Sequence, residues 1–386
     1  MGSWRRWRNT YAPLGALALV LAVATGCSTS TAADDPGPFA AGGQAVVVGS
    51  GGPTGTGGPL QTAAPNTVDQ ITANYVYQGT LVTPLAHLYG KFFKDIVIVT
   101  VENSNPSSAR IKVTSEITGF TDMATDTVTV DAGGSAEVRQ DPKLTTAAID
   151  DLNSQKYGDL HVVITFLSDG KTILDQTSSM TITSRRDFPW QIEGYSSHEV
   201  HEFLAVMVTR DDPSVADLIR KAANYAPDHA MGAGAAEGDP NRVIAQLAAV
   251  WQAEDQDYHL TYVSTTETFQ ADYQRIRLPG EVLPQASGNC IELSLLYAAV
   301  AESLGFPPFL ILIPGHAYMA VQVDTKGNSI VIETTMIGAA TFAKATQKGG
   351  SEWKEAQPQI QAGDERYDVV SVKAARDKGY TPIPWH

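Results

Sequence analysis

Cysteine is nearly absent from this chain. Two thiols in 386 residues, Cys27 and Cys290, cannot build the disulfide framework of a small exported protein. Positive charge is scarce as well, with 27 Lys and Arg against 42 Asp and Glu and a formal net charge of −15, which excludes nucleic acid as a partner. Past the N-terminal region no apolar run reaches the ~20 residues that crossing a bilayer requires. Zinc-protease spacing is also missing: His198 and His201 stand three apart rather than four, without an evident third ligand, and read as a solvated helix start. No metal or other cofactor is expected.

What is present begins with residues 1–27, which have the form of an export leader. Arg5, Arg6 and Arg8 precede an apolar run from Leu14 to Val23, and Ala24-Thr25-Gly26 places small residues before Cys27. A cysteine at that point resembles the lipid-attachment site of bacterial lipoproteins, with Ala24 where Leu is more usual. That resemblance implies a chain anchored through Cys27 on the extracytoplasmic face of a bacterial cell membrane. Residues 28–68 are rich in Ser, Thr, Ala, Gly and Pro and too poor in large apolar side chains to order themselves, so they are expected to form a tether.

Two domains are expected beyond it. Over 69–186, short β-rich runs such as Ile96–Glu102, Arg110–Ile117 and His161–Leu167 alternate with turn signals such as Asn103-Ser104-Asn105-Pro106 and Ser168-Asp169-Gly170. One helix-like insertion falls near Thr145–Asn153. This spacing predicts an all-β sandwich, with Asn103 as a turn former and no candidate catalytic side chain. Near Asp187-Phe188-Pro189-Trp190 the pattern changes to helical runs at Val200–Val208, Val215–Tyr225 and Val243–Gln252. Strands follow at Phe309–Ile313, His316–Val323 and Ile330–Glu333, so 187–386 reads as an α+β domain, separable from the sandwich. Trp190, Trp251 and Tyr262 read as core anchors.

The chemistry concentrates around the remaining thiol. Cys290 opens an apolar helix over Ile291–Leu304, capped by Asn289 or Ser287 and ended by Gly305 and Pro307. A helix start favours thiolate over thiol, and its free backbone N–H groups could face an oxyanion. A lone free thiol in an exported chain suggests that its reactivity is used, although a buried cysteine can also be simple packing. His316 and Glu333 follow beside later strands, in the order needed for nucleophile, base and orienter. Gln285 could add a side-chain oxyanion donor, with a solvated loop role the simpler expectation, and Glu292 would complement the helix dipole.

The run Gly288-Asn289-Cys290-Ile291-Glu292-Leu293, with Pro314-Gly315-His316-Ala317-Tyr318 and Ile332-Glu333-Thr334-Thr335, resembles the core of the transglutaminase-like superfamily of cysteine enzymes. Gln274 to Pro279, and Ala374-Ala375-Arg376 with Gly379, resemble a bacterial branch of it. The resemblance implies a papain-like α+β fold with Cys290 as nucleophile, His316 as base and Glu333, in place of the more usual Asp, as orienter. It also implies an enzyme that attacks amide or ester carbonyls of envelope peptides or proteins, by hydrolysis or acyl transfer. The competing expectation is a non-catalytic envelope module that keeps the fold without the chemistry. One geometric difficulty stands out: with Lys326-Gly327 as a two-residue turn, Glu333 would face Ala320, four residues from His316.

Overall fold

The computed structural model describes residues 60–232, 238–264 and 272–384; the leader, Cys27 and most of the expected tether lie outside them. The first part of the chain folds as β1 (Leu60–Thr62), β2 (Asn66–Val68), β3 (Ile71–Gln78), β4 (Thr80–Leu81), β5 (Val97–Asn103), β6 (Ala109–Ile117), β7 (Ala124–Val130) and β8 (Ser135–Gln140). A short helix α1 (Thr146–Asp150) then leads into the long hairpin of β9 (Lys156–Phe166) and β10 (Thr172–Ile182). These strands make two five-stranded sheets, one of β1, β2, β3, β5 and β8, the other in the order β4-β10-β9-β6-β7. Buried and partly exposed residues alternate along β3, β5 and β6, as a strand with one covered face demands. Val99, Ile111, Val162 and Met180 from both sheets meet in one core.

The tether is shorter than its composition suggested, because β1 and β2 pair with β3 and residues 60–68 therefore belong to the sheet. Asn103 is the expected turn former: its side-chain oxygen accepts from the Asn105 N–H, and its amide donates to the carbonyls of Ser107, Val130 and Asp131.

The second part runs β11 (Asp187–Pro189), α2 (Ser197–Glu202), α3 (Pro213–Ala222), α4 (Pro240–Gln256), β12 (Thr261–Tyr262), β13 (Tyr273–Arg275), α5 (Pro279–Val282) and β14 (Ser287–Gly288). It continues through α6 (Cys290–Ser303), β15 (Pro308–Ile313), β16 (His316–Gln322), β17 (Ser329–Ile332), α7 (Phe342–Ala362), β18 (Asp368–Ser371) and α8 (Val372–Lys378). The sheet β17-β16-β15-β18 is antiparallel throughout. Period two divides its side chains: Leu310, Leu312, Ala317 and Met319 join α6 in the main core, while Ile311, Tyr318 and Val331 pack with Trp353 of α7 on the opposite face. Helix α6 is buried over Cys290–Ala301, which explains why it is apolar on every side rather than along one stripe.

The whole is a mixed α+β protein, and its two main hydrophobic cores do not divide at Arg186. Leu85, Leu88 and Phe93, from the segment after β4, lie in the core of the second part. The Phe93 ring sits 4.9 Å from Phe203 and 5.4 Å from Tyr195. This packing argues against separable domains. A chain starting at Arg186 would lose these side chains and expose their sockets, so it should lack a cooperative thermal transition. In the full chain Phe93→Ala should cost ~3–5 kcal/mol, measured by urea unfolding; independent folding of the shortened chain would refute this reading.

Candidate active site

Cys290 owes its place to the start of α6. Of the two possible caps, Asn289 is used: its side-chain oxygen accepts from the Glu292 N–H at 3.0 Å, and Glu292 in return accepts from the Asn289 N–H at 3.0 Å. Glu292 does more than complement the helix dipole. It also takes a two-pronged contact from Arg277, Nε to Oε1 at 3.0 Å and Nη2 to Oε2 at 2.6 Å, which ties the strand-end segment before α5 to the helix start. Arg277 Nη1 donates to Gln285 Oε1 at 2.6 Å, so the geometry links exposed Gln285 to this clasp rather than to the thiol.

His316 is placed by a tight turn. Ile313 pairs with His316, leaving Pro314-Gly315 as the whole connection, and Gly315 has φ 72°, a left-handed value that glycine adopts without strain. His316 is therefore the first residue of β16 and can reach past the sheet's end. Its Nε2 donates to Glu333 Oε2 at 2.8 Å, and a hydrogen bond with the Cys290 side chain is among the interactions that raise its pKa. Tyr318, two residues on, stacks against the ring at 5.9 Å.

The register difficulty resolves in the loop. Gln322 pairs with Ser329 and the Val323 N–H donates to the Asn328 carbonyl, so the turn spans Asp324 to Gly327 rather than two residues. Asp324 holds it, accepting from the N–H groups of Lys326 and Asn328 at 2.9 Å each. The longer turn slides β17 by two residues, and Glu333, just past the strand end, falls beside Tyr318, diagonal to His316. A diagonal neighbour lies ~7–8 Å away, within reach of a side chain as long as that of Glu.

Glu333 is nearly inaccessible, 2 % exposed, and its other oxygen accepts from the Thr335 N–H at 2.9 Å and the Thr335 hydroxyl at 2.5 Å. Burial works against its charge, but the bond to His316 and its other partners overcome this and hold the carboxyl down at about 2. Burial likewise pushes His316 down, yet the bonds to Cys290 and Glu333 more than reverse it and raise the imidazole to about 10. The arrangement thus favours a charged imidazole between the Cys290 side chain and the Glu333 carboxylate.

A side chain that sequence reading missed fastens the three elements together. Ser294, fully buried, donates to the Cys290 carbonyl at 2.8 Å and meets Thr334 Oγ1 at 3.0 Å and the Ala317 carbonyl at 3.3 Å. Each contact is at or beside one of the three candidate catalytic residues. A serine set among the apolar residues four positions into the helix was the available signal. Helix α7 also bears on the site: Ala345 accepts the Glu333 N–H at 3.1 Å, and Gly349 packs so closely that an added Cβ would lie 3.0 Å from the backbone of Val331, Ile332 and Glu333.

His198 and His201 are not a solvated helix start. Both donate through Nδ1 to the buried Asp368 at 2.9 Å, which pins α2 to β18. Trp190 and Trp251 are core residues as expected, whereas Tyr262 is exposed. Arg376 clasps Glu302, at the far end of α6, with bonds of 2.9 and 3.0 Å. His316, Glu333 and Glu352 are the one group of three or more potential metal ligands found within 4.8 Å of one another among the described residues. The imidazole nitrogen that an ion would need there already donates to Glu333.

No protein-family model and no curated protein matches the chain. Among solved structures, a FixG-related protein from Vibrio parahaemolyticus is similar over 29 % of this chain and 96 % of its own, at 13 % identity and a TM-score of 0.22. A protein from Archaeoglobus fulgidus is similar over 32 % of this chain and 93 % of its own, at 9 % identity and a TM-score of 0.19. A β-glucuronidase from Bacteroides uniformis is similar over 32 % of this chain but only 12 % of its own, at 9 % identity and a TM-score of 0.17. Partial likenesses at this level carry no function over.

The close seat of α7 gives a paired prediction. Gly349→Ala must push the helix off the Glu333 backbone and should destabilise by ~1–3 kcal/mol. Gly350, with nothing within 4 Å of an added Cβ, should gain up to ~1 kcal/mol as Ala from helix propensity. Thermal unfolding of both variants is the check, and equal effects would contradict the contact.

Proposed function

We propose that the chain is a membrane-anchored, transglutaminase-like thiol enzyme acting on amide or ester carbonyls of envelope peptides or proteins. The observation that carries this is the hydrogen-bonded series Cys290, His316 and Glu333 at the start of a buried helix. Support for the family reading lies in the packing of α6 against an antiparallel sheet whose strand ends carry the base and its orienter. The envelope location rests on the leader and Cys27 alone.

In the first half-reaction the Cys290 thiolate adds to the carbonyl carbon. The backbone N–H of Cys290, which a helix start leaves without an intrahelical partner, then meets the oxyanion. The C–N or C–O bond then breaks, His316 gives its proton to the leaving amine or alcohol, and a thioester remains on the sulfur. In the second half, His316 takes a proton from water or an amine, which attacks the thioester and releases Cys290. Glu333 keeps the imidazole oriented towards sulfur and balances its charge throughout.

A second reading, a binding module without chemistry, draws on the burial of the thiol. Cys290 is 2 % exposed, and it lines neither the cavity beside Trp190 and Tyr195 nor the one beside Trp353. Iodoacetamide separates the two. The enzyme reading expects Cys290 in the native protein to alkylate faster than free cysteine at neutral pH, with His316→Asn reducing the rate about a hundredfold. With an activated ester as acyl donor, intact-mass measurement should show an adduct on the unmodified chain and none on Cys290→Ala. Glu333→Gln should form the adduct more slowly than the parent but still detectably. A thiol that reacts only on unfolding would leave the binding module as the better account.

A further inference from the structure

The close seat of α7 has a chemical consequence at Glu333. Ala345, Gly349 and Glu352 lie on one face of that helix, at spacings of four and three residues. With Gly349 against the β17 backbone, Glu352 is brought down beside Glu333, and donor atoms of His316, Glu333 and Glu352 all lie within 4.8 Å of one another.

Two ionised carboxylates cannot hydrogen-bond to each other, and their close approach favours a proton on one of them. Which of the two carries it follows from their partners. Glu333 already accepts from His316 Nε2, the Thr335 N–H and the Thr335 hydroxyl, so its charge is well supported. Glu352 Oε1 meets only Lys348 Nζ, at 2.9 Å, from a half-exposed side chain. Its Oε2 is buried and has no partner as an acceptor. A proton on Oε2 turns that orphan atom into a donor and satisfies it.

We propose that Glu352 is a positioning residue whose protonated carboxyl donates a hydrogen bond to Glu333, extending the catalytic series to four members and making it sensitive to pH near neutrality. What the positioned thiol is used for rests on the acyl-transfer reading; the carboxyl pair itself does not. Burial first, and then the bond to Glu333, lift Glu352 to about 7. The charged and titratable groups facing the pair are Lys348 and Glu355 of α7, His316 and Tyr318 of β16, and Tyr367 ahead of β18. Tyr318 has a buried hydroxyl with no partner beside the same carboxyls, and burial first, then Glu352 and Glu333, raise its pKa. Above pH ~7 the proton leaves Glu352, the bond is lost, and like charges repel, which loosens Glu333 behind the imidazole.

Glu352→Gln is the discriminating variant, because an amide donates to Glu333 without titrating. The rate of Cys290 alkylation by iodoacetamide should match the parent at about pH 5 to 6 and exceed it above about pH 7, so that the parent's inflection disappears. Glu352→Ala should be slower by about tenfold at low pH, where a bond to a charged group is removed. Thermal unfolding supplies a readout independent of the thiol. A carboxyl raised in the folded state contributes stability below its unfolded pKa of ~4.3 that is lost as pH rises through about 7, so Glu352→Gln should gain on the parent over that interval. Superimposable rate and stability profiles for parent and Glu352→Gln would overturn the proposal. So would a rise in unfolding temperature with added zinc chloride that Glu352→Gln abolishes, since the three side chains would then serve a cation. If His316→Asn alkylates like the parent while the stability difference persists, the enzyme reading fails and the carboxyl pair stands.

Discussion

The candidate site depends on how far β17 is shifted along β16. A two-residue turn at Lys326-Gly327 would leave Glu333 level with Ala320 and out of reach of the imidazole. The Asp324-centred turn moves it two residues closer, beside Tyr318. The remaining offset is diagonal, and the extra methylene of Glu spans it to give the 2.8 Å bond to His316. Ser294 and Gly349 then act on the same few residues from opposite faces of the sheet. Ser294 ties the Cys290 helix to Ala317 and Thr334, and Gly349 lets α7 lie against the Glu333 backbone.

Electrostatics follow from that geometry. The imidazole is squeezed between two groups that prefer it charged, and its burial, which alone would favour the neutral form, is outweighed. Glu333 can stay ionised in a nearly inaccessible place because three donors converge on it. The surrounding scaffold supplies rigidity: Arg277 and Glu292 fix the start of α6, Arg376 and Glu302 its end.

Much of this was legible in the sequence, for identifiable reasons. Period-two alternation located most strands of the first part, and Asn289 with Glu292 signalled a helix start at Cys290. Ile71–Gln78 went unrecognised as a separate strand, and the pairing of 60–68 with it was hidden by a Gly, Thr and Pro-rich composition. Helix α7 was not anticipated; Gly349-Gly350 and Pro358 lie within it, and Gly349 is there for a close backbone approach. Glu352 was unreadable, since its relation to Glu333 exists only once α7 is docked. His198 and His201 looked solvated because their partner, Asp368, lies far along the chain. The packing of the two parts was not visible in composition: Leu85, Leu88 and Phe93 join the second core from a segment whose sequence gives no sign of it.

The central claim is that His316 is a charged imidazole held between the Cys290 sulfur and Glu333. The most direct measurement is nitrogen NMR of the His316 ring in the native protein, followed from about pH 5 to about pH 9 beside Cys290→Ala. The account predicts a doubly protonated ring throughout that range in the parent, consistent with a value raised to about 10, and a marked lowering when the sulfur is removed. A His316 ring that titrates near the ordinary ~6.5 in both proteins would contradict it.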